Sequence, residues 1–167
     1  MKQFKLITEG VLIIASSNSL KRKYKNEEFD YNFPEGINEM INQNSIIAIT
    51  NSGGDNIIAE YEINKKIEYY DYDKVIEQSI ELSDNDELLI LSHSEFTMIC
   101  DKDGNYKNYG FPITFSEPMK KGKYIVEIAV NDVSEEFEIY KAYFKIIINL
   151  KTLTGKKIEN FICELCE

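Results

Sequence analysis

Apolar and polar residues alternate with a period of two along much of this chain. In Val75–Leu82, Ile76, Ile80 and Leu82 fall on one face, and Glu77, Ser79 and Glu81 on the other. Tyr124, Val126, Ile128 and Val130 share a face, as do Phe144, Ile146, Ile148 and Leu150. Such alternation predicts half-buried strands. Further strands are expected over Phe4–Ala15, Ser45–Thr50, Ile57–Ile63, Glu87–Leu91, Phe96–Asp101 and Phe111–Phe115. Turn chemistry separates them: Asn51–Asn56 with Gly53 and Gly54, Ser83–Asp86, Asp101–Asn105 with Gly104, and Lys120–Lys123 with Gly122.

About eight to ten strands with turns at this spacing predict an all-β fold, an antiparallel β-sandwich. No linker or repeat divides the chain, so residues 1–167 are expected to form a single domain. Two stretches break the pattern. Residues 18–36 are polar and basic, then aromatic (Phe29, Tyr31, Phe33), and read as a long loop or excursion. Residues 158–167 carry Ile158, Phe161, Ile162 and Leu165 at helical spacing, which predicts a short terminal helix.

Charge changes the picture more than composition does. The net charge is −10 over 167 residues. Residues 1–36 carry six Lys+Arg against five Asp+Glu, residues 37–118 five against sixteen, and residues 119–167 eight against eight. The middle of the chain therefore holds a charge of −11. A field of this sign repels nucleic acid and acidic membranes and attracts basic partners. Within it, acids and tyrosines interleave. Glu60 and Glu62 share a strand face, Glu77 and Glu81 share another, and Glu68, Asp71 and Asp73 lie between, among Tyr69, Tyr70 and Tyr72. Carboxylates pair with Arg and Lys, and tyrosine supplies rigid contact area, so these ten residues are the expected partner-binding surface.

Other chemistry is thinner. Asp84, Asp86 and Glu87 form one acidic loop and Asp101, Asp103 and Asn105 another, which raises calcium. The second departs from the EF-hand pattern in the place of Gly104, and Pro112 stands where the closing Glu belongs. Ordinary hairpin turns account for both, and no metal or cofactor is expected. Cys163 and Cys166 form a lone CxxC flanked by Glu164 and Glu167, which would raise a thiol pKa. With Cys100 they make an odd, sparse set that fits a reducing, cytoplasmic compartment. His93 is the single histidine, and its neighbours Ser92 and Glu95 do not make a catalytic triad by adjacency. The basic run Leu20–Lys25 is followed at once by Glu27 and Glu28 and reads as a solvated loop. The N-terminus loosely imitates an export signal, but Glu9 interrupts its apolar run, and a buried first strand is the expectation.

The features run in order from the strand Gly10–Ala15 through a polar excursion to Asn44–Thr50, then Asp73–Ile80, Leu88–Leu91, and Pro118–Val126 with a closing strand. This order resembles a small bacterial β-sandwich family, the ComJ-like proteins, together with immunity-like proteins encoded beside toxins. Gly122, Lys123 and Tyr124 match a recurrent turn into a late strand of that family. The resemblance implies a β-sandwich over roughly residues 6–150 and, since ComJ-type proteins inhibit a nuclease, an inhibitory role. It carries over no functional residues.

The residues and the resemblance together predict a non-enzymatic inhibitor of immunity type. It would neutralise a basic protein partner, such as a nuclease or toxin, through an acidic surface. It would contact neither nucleic acid nor membrane, and exposed sheet edges leave monomer and homodimer both open. The alternatives are a calcium- or carbohydrate-binding sandwich module using loop acids, and an enzyme using paired carboxylates.

Overall fold

The computed structural model describes residues 2–25, 27, 29–30, 32–51, 56–63, 67–68, 71–100, 113–132, 143–155 and 157–165, with 56–63 and 143 as backbone. The chain is mostly strand, as the alternation predicts. The strands are β1 (Lys2–Ile7), β2 (Val11–Ser16), β3 (Ile46–Thr50), β4 (Asn56–Ile63), β5 (Lys74–Leu82), β6 (Asp86–Ser92), β7 (Phe115–Met119), β8 (Gly122–Asp132), β9 (Tyr143–Thr152) and β10 (Cys163–Glu164). The helices are α1 (Ser17–Lys23), α2 (Asn38–Asn42) and α3 (His93–Ile99), with a 3₁₀ turn at Glu35–Ile37.

Two five-stranded sheets face each other: a front sheet in the order β1-β4-β9-β8-β5 and a back sheet in the order β10-β3-β2-β6-β7. The main core lies between them. Ile76, Ile80 and Leu82 of β5, Val126, Ile128 and Val130 of β8, and Phe144, Ile146, Ile148 and Leu150 of β9 meet Leu12, Ile14, Ile47, Ile49, Leu88 and Ile90 of the back sheet. The alternating strands thus keep one face for this core. The uninterrupted runs Val11–Ala15, Ile46–Ile49 and Leu88–Leu91 instead mark strands covered on both sides. Their second face packs Ile13, Ala15, Ala48, Leu89 and Leu91 under a helical layer that contributes Leu20, Tyr24, Phe29, Met40, Ile41, Phe96 and Ile99.

That layer corrects several expectations. Residues 18–36 are not one loop: α1 and the 3₁₀ turn overlap their two ends, and Phe29 packs between Tyr24 and Phe96 at ring separations of 5.4 and 5.5 Å. The strand expected at Phe96–Asp101 is helix α3 as far as Ile99. Its β-branched and aromatic composition suits a strand, but Ser92 and Glu95 form a reciprocal capping box that starts a helix. Phe96, Ile99 and Cys100 then fall on one buried side. The long first strand Phe4–Ala15 is two strands in different sheets. The break is at Gly10, whose φ of 77° lies in the left-handed region. A Cβ there would stand 2.7 Å from the Asn51 carbonyl oxygen. The last predicted strand, Phe111–Phe115, begins only at Phe115, and residues 101–112, with their expected hairpin, lie outside the described residues.

The sandwich is not purely antiparallel. β4 and β9 pair in parallel, as do β10 and β3. Neither pair is joined by a hairpin, so nothing in the connection imposes antiparallel order.

The terminal helix expected over residues 158–167 is absent from the described part. Residues 158–165 run as an extended strap along the open side between β5 and β3. Asn160 explains why they do not coil. Its Oδ1 accepts from Ser79 N at 2.8 Å, and its Nδ2 donates to Ser79 O at 2.7 Å and to Ile46 O at 3.1 Å. One side chain therefore satisfies the edge of β5 and reaches the back sheet. Phe161 N donates to Gln78 Oε1 at 3.1 Å, and Leu165 N to Thr50 O at 2.8 Å. Covering an edge in this way removes a template for pairing with other chains. The opposite side closes by side chains: Phe4 stacks on Phe115 at 5.0 Å, and Lys2 pairs with Glu117 at 3.2 Å.

A buried carboxylate organises one end of the sandwich. Asp86 is 1% exposed. It accepts from Ser16 Oγ (2.7 Å), Ser17 Oγ (3.1 Å), Asn18 N (3.0 Å), Ser83 N (2.9 Å), Ser83 Oγ (3.2 Å) and its neighbour Glu87 N (2.9 Å). Burial pushes its pKa up, but the donors from Asn18, Ser83, Ser16 and Ser17 outweigh that, and the carboxyl is held below its ordinary value.

Two stability predictions follow from these contacts. Asn160→Ala strands three buried backbone groups and is expected to cost roughly 2–4 kcal/mol, read from the urea midpoint. Asp86→Asn leaves several donors facing an amide and is expected to cost roughly 2–3 kcal/mol at pH 7. Because the folded-state pKa of Asp86 is depressed, its stabilising contribution is complete above the ordinary value of 3.8 and is lost as pH falls through the folded-state value. The stability gap between wild type and Asp86→Asn should therefore narrow below pH 3.8, which urea titrations at pH 7 and in acid would show.

Candidate partner-binding surface

Of the predicted contact residues, Glu60 and Glu62 lie on β4 and Glu77 and Glu81 on β5, both strands of the front sheet. β5 presents Ile76, Ile80 and Leu82 on one face, interrupted there by the buried Gln78, and its register with β8 is unbroken from Lys74↔Val130 to Leu82↔Gly122. Its outer edge is occupied: Ser79 N–H and C=O meet Asn160, and Glu81 N donates to Asn44 O at 3.0 Å.

Register arranges the outer positions of the front sheet in rows. Gln3, Glu60, Ile147, Ala129 and Val75 form one row across the five strands, and Glu62, Asn149, Glu127 and Glu77 form the next. Glu62, Glu127 and Glu77 thus hold register positions in one row of four strands, and Glu60 holds one in the neighbouring row. Glu77 lies directly opposite Glu127. Glu127 is buried, accepts from Asn149 Nδ2 at 2.7 Å, and forms an ion pair with Lys151. Like-charged neighbours across a pair of strands repel, and these two contacts offset that repulsion on the Glu127 side. Lysines share the face as well, since Lys145 is in register with Ile58 and Asn131.

Among the described residues, the predicted contact residues spread over more than one part of the front sheet. Glu60, Glu62 and Glu77 share the outer rows. Asp71 and Asp73 are exposed at the start of β5, where Asp73 accepts from Asp132 N at 2.9 Å and donates its own N–H to Asn131 Oδ1 at 3.0 Å. Glu68 is half-buried nearby in the chain. Tyr72, with Val75, packs against Ile67, Ala129 and Ile147, so its ring is committed to covering the sheet. Glu81 is eight residues along β5 from Asp73, roughly 26 Å away. There it pairs with Lys123 at 3.2 Å. Tyr69 and Tyr70 lie outside the described residues.

The other candidate chemistries resolve into structural roles where they are described. Asp86 has both carboxylate oxygens saturated by protein donors, and Asp84 pairs with Lys121 at 2.8 Å, which raises the Lys121 pKa. That loop offers no converging set of free oxygens to calcium. The second loop, with Asp101, Asp103 and Asn105, lies outside the described residues. No group of three or more His, Cys, Asp and Glu suited to a metal occurs among the described residues. Glu95 serves the capping box and accepts from Thr114 N at 2.8 Å and Thr114 Oγ1 at 2.7 Å, while His93 stands edge-on to Phe33. Cys163 is buried, which pushes its thiol pKa up; nearby Lys74 opposes this and Glu164 adds to it. Cys100 is also buried. The basic run is the body of α1, where Lys21, Arg22 and Lys23 complement the helix C-terminus. Lys23 pairs with both Glu27 and Glu39 at 2.6 Å, and these two hydrogen bonds raise its pKa. No helix among the described residues is long and apolar enough to cross a membrane.

The late-strand turn stands where the resemblance places it. Gly122 opens β8, the Tyr124 ring lies 3.4 Å from where a Cβ on Gly122 would sit, and the Tyr124 hydroxyl donates to Lys120 O at 2.7 Å.

No protein-family model and no curated protein matches the chain. Two solved structures share its fold. One is ComJ from Bacillus subtilis, described as an inhibitor of the DNA-degrading activity of NucA; it matches with a TM-score of 0.50 and 11% identity over 92% of this chain and 96% of its own. The other is the product of crocagin biosynthetic gene J, with a TM-score of 0.50 and 11% identity over 92% of this chain and 98% of its own. At this identity the likeness is one of architecture: the chain has a ComJ-like fold along nearly its whole length.

Proposed function

We propose that this protein is a non-enzymatic inhibitor of immunity type that neutralises a basic bacterial protein, such as a nuclease toxin. The observation that carries this reading is the ComJ-like fold over 92% of the chain, on a protein whose central segment holds a charge of −11. A nuclease presents a basic cleft to its phosphate substrate, and an acidic inhibitor competes by offering carboxylates in place of phosphates. Glu60, Glu62 and Glu77 on the outer rows of the front sheet, with Glu68, Asp71 and Asp73 at its end, form the proposed contact surface. Their field speeds association with a basic partner and is screened by salt. The lysines on the same face fix register by pairing with acids on the partner. Tyr69 and Tyr70 are the proposed aromatic anchors.

The test begins with co-purification from the native host at low salt, followed by assay of the captured basic protein for DNA degradation with and without added inhibitor. Stoichiometric inhibition that weakens at high salt is the expected result. Changing Glu60, Glu62, Asp71 and Asp73 together to Lys should slow association by about ten- to a thousandfold at low salt while leaving the thermal midpoint near wild type. Unchanged association of that variant would reject the surface. A captured partner whose nuclease activity is unaffected would reject the inhibitory role.

A further inference from the structure

Away from the acidic face, an open cavity of about 410 Å³ lies between α1, the turn leading into β3, the end of β5 and the start of β8. Its walls hold Arg22, Lys121 and Lys123 and one carboxylate, Glu81, together with Ser19, Ser45 and Gln43. Three cations on one concavity are unexpected in a chain of net charge −10. Arg22 is the sole arginine of the sequence. Its Nη2 donates to Ser19 Oγ at 3.2 Å, which uses one of five guanidinium N–H groups and leaves the rest of the fork.

The two lysines are held by weak internal partners. Lys121 pairs with Asp84 at 2.8 Å and Lys123 with Glu81 at 3.2 Å, and all four side chains are well over half exposed. Exposed pairs of this kind are worth little and exchange readily for a better acceptor. Ser45 supplies an independent indication. It is 6% exposed, its N–H donates to Met40 O and its carbonyl accepts from Ser16 N. Its hydroxyl has no hydrogen-bond partner among the described residues and belongs to the cavity wall. The hydroxyl faces the open cavity, where its donor and acceptor capacity is available to a ligand atom.

We propose that this cavity binds a small organic phosphate monoester. A phosphate carries close to two negative charges and three strong acceptor oxygens. The Arg22 fork, the two ammonium groups and the hydroxyls of Ser19 and Ser45 supply more donors than a single carboxylate can accept. A planar guanidinium also matches phosphate geometry in bidentate fashion. The volume falls in the range of small-molecule sites, so it leaves room for the organic part of the ester. The site is separate from the proposed contact surface, and its presence does not depend on the inhibitory role.

Titration calorimetry of the full chain at fixed ionic strength tests this, with glycerol 3-phosphate as the ester, inorganic phosphate as the bare anion and succinate as a carboxylate control. One-to-one binding of the ester is expected, at least as tight as inorganic phosphate and tighter than succinate. Arg22→Gln and Ser45→Ala should each weaken it about tenfold, with unchanged thermal midpoints without ligand, and Lys25→Gln, outside the cavity, should bind as wild type. No binding of the ester, equal binding by all the variants, or succinate binding as tightly as the ester would overturn the proposal.

Discussion

Asp86 is the point on which one end of the molecule turns. A carboxylate removed from water is unfavourable unless its oxygens are met by donors, and here the donors come from three places in the chain. Ser16, Ser17 and Asn18 are the junction of β2 with α1, Ser83 is the turn out of β5, and Glu87 is the next residue of β6. A strand of the front sheet, two central strands of the back sheet and the first helix are therefore held by one side chain. The helix depends on it most. Ser17-Asn18-Ser19 is poor helix-forming sequence, and α1 buries few side chains beyond Leu20 and Ser19. The negative charge at its first turn, with the Ser16 cap, supplies what local propensity lacks.

The same end shows how this protein disposes of its charge. Lys121 and Lys123 answer Asp84 and Glu81 across the β5–β6 and β7–β8 turns. Asp84 and Glu81 are locally balanced, whereas at the other end of β5 the Asp73 carboxylate accepts from the backbone N–H of Asp132. The field of the middle segment is thus uneven along the strand. One strand separates two electrostatic environments.

Much of the sheet structure could be read from residues alone. Alternation in β5, β8 and β9 marks both their extent and their inner faces, because a period of two leaves little freedom once one face is apolar. The runs in β2, β3 and β6 were legible as strands, and their lack of polar positions also announces a cover on the second face. The helices that form that cover are harder to see. α1 is polar and stabilised by a residue almost seventy positions away, and α3 looks like a strand unless Ser92 and Glu95 are recognised as a cap. The strap reads as a helix because Ile158, Phe161, Ile162 and Leu165 mimic helical spacing, while Asn160 binds two different sheets. For the candidate surface, the charge imbalance was visible and its geometry was not. Alternation assigns Glu60, Glu62 and Glu77 to faces, but the neighbours of those faces follow from the parallel pairing of β4 with β9, which no local pattern encodes.

The strap that covers β5 has a consequence for how the molecule is made. β5 emerges during synthesis well before residues 158–165 exist to shield it. In that interval the backbone groups of Ser79 face solvent with no Asn160 to meet them. A nascent chain in this state offers a bare strand edge to its neighbours on a polysome. Even a nearly complete sandwich that lacks this last closure is therefore open to aggregation, and slow translation over the late segment would lengthen its life.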